Sequence, residues 1–152
     1  MTQPDPLPAV LPPPDGATVR AERVGPRTYA GRTSRGSSLL IGPDEVEGGF
    51  WPGELLKLAL AGCTGMTADS ALARRLGPDA PATVAVEGAK HAVEDRFVRF
   101  DEQLVVDLSG LGDAEKARLA AVVNQAVAKH CTIGLTVARS AEVNLSLPPA
   151  VA

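Results

Sequence analysis

One uninterrupted run, Phe50 to Gly77, limits what this chain can fold into more than any other stretch (FWPGELLKLALAGCTGMTADSALARRLG). Pro52 suits a first helical turn, because proline fixes φ and has no amide hydrogen to leave unpaired. From Glu54 to Leu76 there is no proline, and Leu, Ala, Lys, Met and Arg, all good helix formers, dominate. Leu55, Leu56, Ala59, Leu60, Cys63, Met66 and Thr67 recur at steps of three and four, which predicts one apolar face carrying Cys63. Leu55 to Gly62 is nearly apolar all round, broken only by Lys57, so the helix is expected to be covered on most sides. That apolar segment is far too short to span a bilayer. Gly77-Pro78 ends the helix. The small residues Thr64 and Gly65 would let other chain approach the cysteine sulfur closely.

Around this helix the chain reads as an α+β arrangement, a single domain over residues 17–152. Residues 1–16 hold six prolines and read as an extended arm. VRAERVG from Val19 and RTYAGRTSRGSSLLIG from Arg27 read as short strands parted by turns at Gly25-Pro26 and Arg35-Gly36. Gly42 to Gly49 is an acidic loop whose charge favours the N-terminal end of the helix that follows. After the helix, Ala82–Val93 and Arg96–Leu108 predict a β-hairpin turning at Val93–Arg96. Val84, Val86 and Gly88 share one side of its first strand. In the second, Val98, Phe100, Glu102 and Leu104 lie opposite Phe97, Arg99, Asp101 and Gln103. Asp113 opens a second helix with an apolar stripe of Leu119, Val122, Val123, Ala126, Val127 and His130, and Cys131 lies at its end. Ala141 to Leu147 alternates as a closing strand.

Several function classes fall away on composition. Aromatic residues make up 3% of the chain, which leaves no platform on which bases could stack. The net charge is −3 and there is no Lys/Arg block, so nucleic acid is not an expected partner. The N-terminus has neither a basic region nor an apolar stretch of the signal-peptide kind. Two cysteines without such a signal point to a reducing compartment, the cytoplasm, where a cysteine pair is more often catalytic than structural. Zinc would need His91 and His130 beside the cysteines, and no ligand spacing is present. His91 is expected in a strand beside Lys90, and His130 on the inner stripe. No nucleophile elbow, GxGxxG or P-loop pattern occurs. What remains is Cys63 and Cys131, the only two cysteines. They fit small buried hydrophobes, which free cysteines usually are, as well as they fit a reactive pair.

The run PGELLKLALAGCTGM, followed by KHCTIGLTV and an alternating final strand, resembles the OsmC/Ohr family of osmotically inducible and organic hydroperoxide resistance proteins. The likeness covers most of residues 18–148. It implies antiparallel sheets wrapped around central helices in an intertwined homodimer, with active sites at the subunit interface. It also matches Cys63 to the family's peroxidatic cysteine and Cys131 to its resolving partner. The family's active-site arginine, which follows the turn of the first hairpin, corresponds to Arg27, with Arg32 as second choice. In hydroperoxidase members a glutamate directly follows the proline. Here Gly53 holds that slot and Glu54 comes one position later, which rotates a helical side chain by about 100°. Thr132-Ile133 stand where a proline-containing turn is common in the family.

The resemblance implies a Cys-based peroxidase acting on organic hydroperoxides. A guanidinium beside Cys63 would favour its thiolate, and a carboxylate paired with that arginine would orient it. Attack on the O–O bond gives a sulfenic acid and an alcohol. Cys131 then closes a disulfide, and an external dithiol, lipoyl-type or other, restores both thiols. Leu55, Leu56, Leu60 and Met66 would form an apolar wall favouring organic peroxides. No metal or organic cofactor is required. The alternative is a non-enzymatic dimer of the same fold that binds a small apolar molecule.

Overall fold

A computed structural model describes residues 16–139. Residues 1–15 of the proline-rich arm and the closing strand expected at 141–147 lie outside the described residues. The chain divides into two compact units, Met1–Leu56 and Lys57–Ala152.

The first unit holds a four-stranded sheet in sequence order: β1 (Val19–Gly25), β2 (Thr28–Thr33), β3 (Ser38–Ile41) and β4 (Gly49–Phe50). β1 and β2 pair antiparallel from Val19↔Thr33 to Gly25↔Thr28, with a register shift between Arg23 and Gly25. The connecting turn puts Pro26 where its fixed φ is wanted and Arg27 in the left-handed region at φ 53°. The Thr28 hydroxyl steadies it by donating to the Pro26 carbonyl at 3.0 Å. β3 runs antiparallel to β2, from Tyr29↔Ile41 to Arg32↔Ser38, after a turn in which Gly36 takes φ 91°. The acidic loop ends in β4, a short strand parallel to β3 that sequence reading did not separate from the loop.

Helix α1 (Pro52–Leu76) starts as the sequence predicts, on Pro52, and stops at Gly77 in the left-handed region, φ 103°. Its first turn is closed reciprocally. The Trp51 carbonyl accepts from the Glu54 and Leu55 amides, and the Glu54 carboxylate accepts from the Trp51 amide at 2.9 Å. Asp44 of the acidic loop fixes the Trp51 indole, whose Nε1–H donates to it at 2.7 Å.

The second unit packs the rest of α1 with a hairpin of β5 (Ala82–Lys90) and β6 (Phe97–Val106), then α2 (Asp113–His130) and α3 (Thr132–Arg139). Its core joins Ala68, Ala71 and Leu72 of α1 to Leu119 and Val123 of α2, with Leu104, Val106, Leu108, Leu111 and Val127 around them. The buried stripe of α1 is Leu60, Thr64, Ala68, Ala71 and Leu72. It therefore runs one position away from the expected face: Thr64 sits at its centre, Cys63 at its margin, and Met66 is 83% exposed. Met66 accordingly does not serve as an inner apolar wall.

Three further corrections have local causes. The hairpin is paired with a register shift between Ala89 and Lys90, opposite Arg99 and Phe97, so Val98 is an extra residue. That bulge brings Phe97 to the side of Phe100, their ring centroids 5.1 Å apart, and leaves Val98 exposed. A Cβ on Gly88 would lie 2.7 Å from Phe97 Cδ1, so the glycine is what admits the ring. His91 falls past the end of β5, where its Nδ1 accepts from the Val93 and Glu94 amides and holds the turn. His130 is exposed at the last position of α2 rather than inside, because the packed stripe of Leu119, Val123 and Val127 continues to Cys131, one position past it.

Candidate functional site

Cys131 organises the site. It belongs to neither helix: at φ −72° and ψ 98° it is the residue that closes α2 and opens α3. Its amide donates back to the Val127 carbonyl at 3.0 Å, and its carbonyl accepts from the Leu135 amide at 2.9 Å. Its Sγ takes the place of a capping oxygen, accepting from the Gly134 amide at 3.3 Å. Gly134 is suited to that spot, since a Cβ there would lie 3.2 Å from the sulfur. The residue is fully buried.

Cys63 meets this helix start from α1. The largest single influence on its thiol is burial, which raises the pKa. It is outweighed by hydrogen bonds from the Cys131 thiol and from the Ile133 and Thr132 amides, so the net shift is downward. Thr132 can contribute because it keeps an amide hydrogen that a proline in its place would lack. The dipole of α3 favours the same anion. Cys131 moves the opposite way: burial, then its bond to Cys63, pushes its thiol up. Both thiols are free. The two sulfurs thus share one helix N-terminus with unequal acidity, Cys63 as the better thiolate and Cys131 as the thiol that supports it.

A third side chain reaches Cys131. The Thr64 hydroxyl lies 3.8 Å from its Sγ and donates to Glu102 Oε1 at 2.7 Å. Sequence reading gave Thr64 only the part of a small residue admitting other chain to the Cys63 sulfur, and left Glu102 without a role. One signal was available: Glu102 alternates with Phe100 and Leu104, an exposed acid in step with the half-buried positions of β6. Beside this site a cavity of about 440 Å³ is lined by Leu60, Phe97, Phe100, Glu102, Gly134 and Val137 among others.

The remaining sequence candidates lie in the first unit. Arg27 is exposed at the β1–β2 turn, its guanidinium carbon 5.8 Å from the centroid of the Trp51 ring. Arg32 donates from Nε to Glu22 at 2.9 Å, and Arg20 does so at 2.7 Å. These two guanidiniums hold the Glu22 carboxyl below its usual range. Glu54 has one oxygen on the Trp51 amide, and among the described residues no Arg27–Glu54 ion pair occurs. Among the described residues no group of three or more His, Cys, Asp or Glu is arranged to hold a metal. No described helix is long and apolar enough to cross a membrane.

Fold and site together define an α+β protein with a two-thiol centre at a helix start. The profile of the OsmC-like proteins matches residues 42–146, and the chain belongs to that family. An uncharacterized protein of Mycobacterium tuberculosis H37Rv is 48% identical over 126 residues, covering 83% of this chain and 92% of that one. A hypothetical protein from Aquifex aeolicus shares the fold with a TM-score of 0.63 at 20% identity, over 80% of this chain and 86% of the other. The organic hydroperoxide resistance protein of Bacillus subtilis gives a TM-score of 0.50 at 19% identity, over 79% and 90%.

Proposed function

We propose that the chain is a thiol-dependent peroxidase of organic hydroperoxides, with Cys63 as nucleophile and Cys131 as resolving thiol. The observation that carries this reading is the start of α3, where the Cys131 sulfur accepts from the Gly134 amide at 3.3 Å and the Cys63 thiol pKa is drawn down. Only a thiolate attacks the O–O bond at a useful rate. Cys63 takes the distal oxygen and becomes a sulfenic acid, while the alkoxide leaves with a proton as the alcohol. Cys131 then attacks the sulfenic sulfur, an S–S bond forms, and water is lost. A small dithiol reduces the disulfide by exchange and is itself oxidised.

Arg27 enters as the cation that stabilises the thiolate, in preference to Arg32, because Arg32 is engaged by Glu22 in the sheet. Glu54 enters as the carboxylate that fixes the start of α1, with its second oxygen left for the arginine. The working unit is a homodimer in a reducing compartment, the cytoplasm. The dimer is supported by apolar side chains such as Val19 at 71% and Met66 at 83% exposure.

One observation favours the non-enzymatic alternative. A groove of about 480 Å³ in the first unit is lined by Val19, Ala21, Leu39, Ile41 and Leu55 among others, and would accept a small apolar molecule. Cumene hydroperoxide consumption with dihydrolipoamide separates the two. The peroxidase reading expects turnover that Cys63→Ser abolishes, whereas equal rates in both proteins would leave the binding role standing.

A further inference from the structure

We infer that Thr64 and Glu102 form a proton relay serving Cys131 in the step that closes the disulfide, an assignment that rests on the peroxidase reading. The geometry is a chain of three groups, from β6, from α1 and from the junction of α2 with α3. Glu102 on β6 accepts the Thr64 hydroxyl proton at 2.7 Å, and the Thr64 oxygen, on the buried stripe of α1, faces Cys131 Sγ at 3.8 Å. Because the hydroxyl's one hydrogen is committed to the carboxylate, the oxygen meets the sulfur with its lone pairs. Thr64 is 6% exposed, so this orientation is not shared with bulk water.

The arrangement answers a need that arises only after peroxide has reacted. In the reduced protein the Cys131 thiol is one of the groups that draw the Cys63 pKa down, and so serves as a donor toward that sulfur. Oxidation to the sulfenic acid removes that acceptor just when Cys131 must lose its proton to become a nucleophile. Burial also disfavours a free Cys131 thiolate. The Thr64 oxygen is the acceptor already in place. The Cys131 proton passes to Thr64 as the Thr64 proton passes to Glu102. The Cys131 sulfur then attacks the Cys63 sulfur, the S–S bond forms, the S–O bond breaks, and hydroxide leaves and takes a proton from solvent. The Cys131 sulfur is oxidised by as much as the sulfenic sulfur is reduced, and both end at the disulfide level. Glu102 lines the open cavity beside the site, so it returns its proton to water, and the net products are disulfide and one water. Thr64 touches the reacting sulfur, and Glu102 is a positioning residue acting through it.

The test is a rapid-quench single turnover with one equivalent of cumene hydroperoxide, following Cys63 oxidation and disulfide closure separately by mass. Thr64→Val is expected to slow closure on the order of a hundredfold while Cys63 oxidation keeps its rate. Thr64→Ser, which restores the hydroxyl, brings closure back. Glu102→Gln, at an exposed strand position that leaves the core intact, slows closure in the same selective way. Closure at the wild-type rate in both Thr64→Val and Glu102→Gln overturns the relay and leaves the peroxidase reading standing. Failure of Thr64→Ser to recover closure also overturns it. A wild-type protein whose Cys63 is never oxidised overturns the peroxidase reading, and the relay with it.

Discussion

Cys63 and Cys131 are the same residue type made unequal by where each meets α3. Cys63 faces the amides of Thr132 and Ile133, and Cys131 is buried behind it with the Gly134 amide and the Thr64 hydroxyl. The sign of the consequence is fixed. A lowered thiol pKa enlarges the thiolate fraction at neutral pH, and a raised one shrinks it. Cys63 is therefore expected to be alkylated by iodoacetamide well before Cys131, with a midpoint in its pH–rate profile below that of Cys131. Cys131→Ala removes one donor to the Cys63 sulfur and is expected to move that midpoint upward and slow alkylation at pH 7. Two thiols reacting at equal rates would contradict this asymmetry.

At the scale of elements, the start of α1 shows how one carboxylate settles a local structure. Glu54 closes the first turn through the Trp51 amide, so Glu54→Ala is expected to cost about 1 kcal/mol in urea unfolding. Glu54→Gln, whose amide oxygen can still accept, should recover most of it. An unchanged midpoint for the alanine variant would show that the cap contributes nothing. Pro52, the helical run and Gly77 made α1 legible in the sequence, since proline and glycine act through backbone geometry alone. The hairpin was legible from alternation, but the bulge at Val98 was not, because nothing in Phe97-Val98-Arg99-Phe100 signals which residue is extra. α3 was also hidden. Ile133, Leu135 and Val137 recur at steps of two, a strand's period, yet the segment is a helix, started by a cap that Cys131 supplies from its own carbonyl and sulfur. The same limit applied to the site. Both cysteines stood out by scarcity, whereas Thr64 and Glu102 gain meaning only when α1 and β6 are packed together.

For the molecule as a whole, Leu58, Met66, Val93, Val105 and Val122 remain more than two-fifths exposed alongside Val19, a large apolar cost for a lone subunit. A homodimer that covers part of this surface would be stabilised by mass action. Raising the protein concentration about a hundredfold should therefore raise the Tm by several degrees, while a concentration-independent Tm and a monomeric sedimentation coefficient would exclude it. Family membership and the OsmC-like fold place the two cysteines in a lineage that includes peroxidases. Within that lineage, the peroxidase reading requires Cys63 and Cys131 to act as one redox pair. Its most direct test is the intact mass of the reduced wild-type protein after one equivalent of cumene hydroperoxide, beside Cys131→Ser. The account predicts that the wild type becomes lighter by about 2 Da, the loss of two hydrogens in an intramolecular disulfide, and that Cys131→Ser instead gains one oxygen on Cys63. A wild-type protein that still titrates two free thiols after excess peroxide would contradict it.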